Sequence, residues 1–213
     1  MHPTKLDHVA YWVADRDRIA ERATRRLGMH VVDRTDAFTL VGADARRGKL
    51  TLFAAEGPRE QGALKHVGWR VPSIEGEREL ELGDGVRIVL VEGGDYDLDH
   101  VALFSADPKA TAAAYESYGF EPASPGLSGC PRVEVGGAWV EFHPGDPGAP
   151  ERPLLNHVAV LVDSADEAIA AAKDLGIDID DVVDAPNTYA AFLRGPEHVR
   201  IEYVEHKPTF SLR

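Results

Sequence analysis

The sequence predicts an α+β fold built from four βαβββ modules, the second shortened, paired into two barrel-like domains. Three observations predict it. The phrase Leu-x-His-Val occurs four times, in "LDHVAYWV" from Leu6, "LKHVGWRV" from Leu64, "LDHVALFS" from Leu98 and "LNHVAVLV" from Leu155. Internal repetition of this kind is the signature of a structural unit that is copied and packed against itself. Three of the four phrases are followed by a helical pattern closed by glycine and then by alternating strand-like runs. The interval from His66 to His100 is much shorter than those from His8 to His66 and from His100 to His157, so the second unit is the curtailed one.

Each element has a local cause. After the first phrase, "DRDRIAERATRRLG" puts Ile19, Ala20, Ala23 and Leu27 on one helical face, with Asp15 as N-cap and Gly28 as the stop. In the third unit "DPKATAAAYESYG" places Pro108 at the first helical position, where its missing N–H costs nothing. The fourth unit, "SADEAIAAAKDLG", offers Ser164 and Glu167 as a capping box and Gly176 as a C-terminal glycine. The closing strands include "RVEVGGAWVEFH", a Gly-Gly hairpin, and "YAAFLRGPEHVRIEYVEH", two runs about a Gly-Pro turn. The corresponding stretch of unit two, "PSIEGERELELGDG", is too rich in glycine and charge to specify a helix. Pairing unit one with two and three with four keeps similar modules together. It sets a domain boundary near Gly94, with an N-terminal domain over 1–94 and a C-terminal domain over 95–213.

Composition narrows the function classes. The chain of 213 residues carries 23 basic and 36 acidic side chains, a net charge of −13, and its basic residues are scattered. Such a surface repels nucleic-acid backbones and anionic lipid, which leaves a small molecule as the expected partner and leaves room for a homo-oligomer. No apolar run approaches the ~18 residues of a membrane span, and the start "MHPTKLDHVA" has no basic-then-apolar leader. The one cysteine, Cys130, forms no internal disulfide and fits a reducing compartment, so the expected location is cytoplasmic.

In a regular strand His157 shares a face with Leu155 and Ala159, and the residue two after each histidine is small: Ala10, Gly68, Ala102 and Ala159. Aligning the last strands of the units puts Thr51, Val89, Glu141 and Glu202 at one register, so only the second half combines histidine with carboxylate. A carboxylate between apolar strand neighbours is costly unless paired or bound to a cation. His100, Glu141, His157 and Glu202 therefore form an expected metal cluster suited to Fe(II), Mn(II), Zn(II) or Ni(II), while His8 and His66 read as packing residues kept by ancestry.

These residues resemble the vicinal oxygen chelate superfamily, which includes glyoxalase I, extradiol ring-cleaving dioxygenases and bleomycin-binding proteins. "L-x-H-V" opening a module and "[VI]-E-[FY]" closing it, here "VEF" at 140–142 and "IEY" at 201–203, are similar to that family's ligand strands. The resemblance covers nearly the whole chain. It implies His100, His157 and Glu202 as metal ligands, with Glu141 as a fourth or as a nearby base, and His143 and Tyr189 as an acid or base. The ending resembles the extradiol dioxygenases, which implies Fe(II) and a catechol-like aromatic substrate. Three departures stand against this: Gly195-Pro196-Glu197-His198 where D-P-x-G is usual, Phe192 where a tyrosine is usual, and "VVDAPN" where a histidine is usual just before Asn187. A Glu at 141 instead resembles glyoxalase I, in which a four-ligand Zn(II), Ni(II) or Co(II) site works without redox change. A metal-free protein sequestering an aromatic ligand is the third reading.

Overall fold

The computed structural model describes residues 1–126 and 128–213. Its first run holds β1 (Lys5–Val13), α1 (Arg16–Leu27), β2 (His30–Arg34), β3 (Phe38–Asp44) and β4 (Arg47–Ala54). Three strands without a helix follow: β5 (Leu64–Val71), β6 (Glu79–Gly83) and β7 (Val86–Glu92). Then come β8 (Asp97–Ser105), α2 (Pro108–Glu116), β9 (Glu121–Ala123), β10 (Arg132–Val135) and β11 (Ala138–Pro144). The last run is β12 (Leu155–Leu161), α3 (Ala165–Leu175), β13 (Ile179–Asp184), β14 (Thr188–Arg194) and β15 (Arg200–His206), with a 3-10 turn at Pro196–His198.

The helices form for the reasons their sequences offer. The Asp15 side chain accepts from the Arg18 N–H, Gly28 closes α1 at φ 67°, and the buried residues are Ile19, Ala20, Ala23 and Leu27, so the apolar stripe faces the sheet. Pro108 opens α2, whose Asp107 cap accepts from Ala110 N–H. Ser164 accepts from Glu167 N–H, and Gly176 closes α3 at φ 68°. Between β10 and β11 the loop is Gly136-Gly137, both at positive φ, which is the two-residue turn whose twist matches a hairpin.

The strands form two sheets. An eight-stranded sheet runs β13-β14-β15-β12-β1-β4-β3-β2, and a seven-stranded sheet runs β6-β7-β5-β8-β11-β10-β9. The first run thus joins the fourth through β1 and β12, and the second joins the third through β5 and β8, both antiparallel. This corrects the expected pairing of one with two and three with four: Gly94 lies in the β7–β8 connection inside one sheet, not at a boundary between domains. All four opening strands carry the same phrase, so any two could pair, and the connections decide. The short link after β7 keeps β8 beside β5. The two longer connections run together as the joint between the sheets, with Leu154 N–H donating to Glu60 O at 2.7 Å and Glu60 N–H to Arg152 O at 3.2 Å. One contiguous apolar core spans both sheets, including Leu6, Val9 and Tyr11 of the first and Val67, Trp69 and Val101 of the second. No helix among the described residues is long and apolar enough to cross a membrane.

Candidate metal centre

The strand phrase does not alternate regularly, and the site depends on that. Pairing of β1 with β12 slips between Leu6 and His8 and again between Ala10 and Tyr11, the second slip leaving Asn156 unpaired between Leu155 and His157. Such bulges turn two successive side chains to one face. Leu6 and Leu155 enter the core with Val9 and Val158, while Asp7 and Asn156 share the opposite face with their histidines, which corrects the expected common face of Leu155 and His157. His8 Nδ1 lies 2.8 Å from Asp7 Oδ2, and His157 Nδ1 lies 2.9 Å from Asn156 Oδ1. Each oxygen takes the Nδ1–H and directs the Nε2 lone pair away from it.

Both lone pairs arrive at one point. His8 Nε2 and His157 Nε2 are 2.9 Å apart, and Glu202 Oε2, from the neighbouring β15, is 2.9 Å from His157 Nε2 and 3.1 Å from His8 Nε2. Glu202 and His157 are buried, and the polar atoms that Glu202 Oε2 meets are the two imidazole nitrogens. Three acceptors converging in a buried place are repulsive unless a positive charge sits among them, so this donor set fits a divalent ion. Among the described residues, His8, His157 and Glu202 form the one group of three ligating side chains close enough to share an ion.

The surroundings tune these groups. Asp7 is buried against Lys49 Nζ at 2.8 Å and His206 Nε2 at 3.3 Å. Burial alone would raise its carboxyl; Lys49, His206 and His8 together hold it well below the usual range. Burial opposes charge on His8 as well, yet Glu202 and Asp7 push it up to about 9. Against the same cost of burial, His157 and His8 hold Glu202 well below the ordinary carboxylate value. Burial lowers His157. Without a metal, the proton that relieves the three acceptors therefore resides on His8.

Aromatic rings wall the centre. Phe192 and Phe53 lie 5.1 and 6.3 Å from the His157 ring, and Trp12 and Phe38 lie 5.3 and 5.8 Å from Phe53. A cavity of about 440 Å³ is lined by Trp12, Asn156, Arg194, His198 and Arg200, so the residue that holds His157 forms part of its wall. Thr51, buried on β4 opposite Ala10, occupies the register that Glu202 holds opposite Ala159.

The sequence-derived ligands are split between the sheets. His157 and Glu202 meet, and their third partner is His8, which had read as a packing residue. His100 stands instead in the seven-stranded sheet, its Nε2 3.0 Å from His66 Nε2 and its Nδ1 2.8 Å from Asp99. Glu141 faces Arg132 at 3.7 Å and His143 Nε2 at 3.4 Å. His143 Nδ1 lies near Lys65 Nζ and Cys130 Sγ, at 3.0 and 3.4 Å. Tyr189 is not in either cluster; its hydroxyl donates to Asp166. The observed pairing of modules accounts for His8, His100, Glu141 and His143; Tyr189 is displaced within its own unit, paired with Glu205 on β15. A signal for Asp7 and Asn156 was present: three of the four histidines are preceded by Asp or Asn, side chains that can hold a ring nitrogen.

No protein-family model and no curated protein matches this chain. Solved structures do. A Bacillus subtilis protein described as a "putative dioxygenase" superposes with a TM-score of 0.78 at 15% identity, over 98% of this chain and 87% of that one. Glyoxalase I from Zea mays superposes with a TM-score of 0.72 at 17% identity, over 94% of this chain and 92% of that one. At these identities the likeness is one of fold. The fold of this chain is that of these two structures.

Proposed function

We propose that the protein is a metal-dependent enzyme of the vicinal oxygen chelate type, holding one divalent ion on His8, His157 and Glu202 and acting on a small aromatic substrate as an extradiol-type dioxygenase. One observation carries the choice of chemistry. The ligand set is two histidines and one carboxylate, and the register where a fourth ligand could stand holds Thr51. Two histidines and one carboxylate with open positions suit non-haem Fe(II), whereas a four-ligand glyoxalase-type site needs a second carboxylate, and Glu141 lies in the other sheet. When bound, Fe(II) supplies coordination of adjacent substrate oxygens and one-electron chemistry with O₂.

The chain's own residues bind and orient. Asp7 and Asn156 fix the two imidazoles, and Phe53, Phe192 and Trp12 offer flat apolar walls for an aromatic ring. The same reading places the protein in the cytoplasm, where its one thiol stays reduced. The test is anaerobic loading with Fe(II), followed by O₂ uptake and absorbance change with a panel of catechols. Stoichiometric O₂ uptake with ring cleavage, lost in Glu202→Gln, is expected. Metal binding without O₂ uptake for any catechol would replace this chemistry with a non-redox one.

A further inference from the structure

The cavity of about 440 Å³ lies between the β11–β12 connection and the turn after β14, and none of His8, His157 and Glu202 lines it. Its walls are basic on a chain whose net charge is −13. Arg194, Arg200 and His198 line it together with Trp12, Asn156 and a single carboxylate, Asp180. Asp180 takes Arg194 Nη2 on one oxygen and Arg200 Nε at 2.7 Å on the other. One carboxylate cannot saturate two guanidiniums, each a rigid fork of N–H donors, and Asp181 reaches Arg200 only at 3.6 Å. Stacking on Phe192, whose ring centre is 3.9 Å from Arg200 Cζ, fixes the plane of that fork.

Two further observations point to a ligand. Arg59 stands over the Trp12 ring at 5.4 Å; among the described residues it forms no ion pair, and its Nε is buried without a hydrogen-bond partner. The turn that carries His198 is strained: Glu197 and His198 stand at φ 56° and 59°, left-handed conformations that are costly for L-residues and gather at ligand clamps. Residues of β8 and α2 hold it there. Glu197 Oε1 accepts from Ser105 Oγ at 2.6 Å and from Thr111 Oγ1 at 2.9 Å, both buried, and Tyr118 Oη donates to Arg194 O at 2.8 Å. We propose that this cavity is a binding site for a small aromatic carboxylate, separate from the metal centre, with the anionic group on Arg194, Arg200 and His198 and the ring against Trp12. An arginine fork matches a carboxylate, an indole offers a flat apolar wall, and Arg59 adds positive field from the Trp12 side. Asn156, whose Oδ1 is taken by His157, has its amide N–H to offer the same ligand.

Calorimetric titration of the full chain with benzoate in the presence of a chelator tests this, since no ion is then available to the carboxylate. One saturable site per chain is expected, with benzamide and inorganic phosphate each about tenfold weaker or more, because one lacks the charge and the other the ring. Arg194→Gln, at a largely exposed side chain, should weaken benzoate binding about tenfold. Asp180→Asn should strengthen it severalfold by freeing both guanidiniums, a gain that misfolding cannot produce; circular dichroism of each variant checks the fold. Absence of saturable benzoate binding overturns the site, as does benzamide or phosphate bound as tightly as benzoate. Benzoate binding indifferent to both Arg194→Gln and Asp180→Asn overturns it as well. The titration contains neither metal nor catechol, so failure of this site and failure of the dioxygenase reading are distinguishable.

Discussion

At the scale of single residues, the proposed centre is made by the neighbours of its proposed ligands as much as by those ligands themselves. Asn156 contributes no donor atom, yet it fixes which nitrogen of His157 faces Glu202. Partners of this kind typically change metal affinity by ~10- to 100-fold. Asn156→Ala is therefore expected to weaken Fe(II) or Co(II) binding about tenfold or more while leaving the circular dichroism spectrum unchanged; a competition titration reads it. Asp7 behaves differently because it also neutralises buried Lys49. Asp7→Ala should weaken metal binding and also lower stability by about 3–5 kcal/mol, the scale for stranding a buried charge, measured by urea unfolding. The proton on His8 sets the pH dependence. His8 is held up to about 9 from 6.5, so its protonation stabilises the metal-free fold fully below 6.5 and that contribution is lost as pH rises through 9. An ion must displace this proton, so metal affinity should rise with pH toward 9, the opposite slope, which paired titrations at several pH values would reveal.

At the scale of elements, the helices were legible in the sequence and the key strands were not. Caps and apolar stripes are local, so Asp15, Ser164, Gly28 and Gly176 sit where their chemistry places them. Ser164→Ala should accordingly cost about 1 kcal/mol in chemical unfolding, the usual worth of an N-cap. A period-two reading of "LNHVAV" fails because the bulge at Asn156 depends on how β12 meets β1, which no single strand encodes. That bulge places the unread oxygen beside the histidine. In unit two, the glycine- and charge-rich stretch contributes β6 and no helix, in line with its composition.

At the scale of the whole molecule, the composition of the site follows from which strands become neighbours. Four equivalent phrases permit three pairings, and sequence similarity among modules favours a different one from that observed; under it, Thr51 and Val89 leave the half that holds His8 without a carboxylate. Because β1 of the first half lies between β12 and β4, and β8 of the second half beside β5, neither half owns a complete sheet. A fragment spanning 95–213 is therefore expected to lack cooperative thermal unfolding, and mixing it with 1–94 to restore structure. An independently cooperative 95–213 fragment would contradict this topology. Metal at about 100 times its dissociation constant should stabilise the intact chain by about 2.7 kcal/mol, raising Tm by roughly 5–10 °C.

In the proposed metal centre His8 joins His157 and Glu202 through the pairing of β1 with β12. The most direct measurement is the anaerobic Fe(II) dissociation constant of His8→Gln beside that of the wild type, with His100→Gln as the comparison. Binding weakened tenfold or more in His8→Gln and unchanged tight binding in His100→Gln is the predicted result. Undiminished Fe(II) affinity in His8→Gln, with loss in His100→Gln, would contradict it.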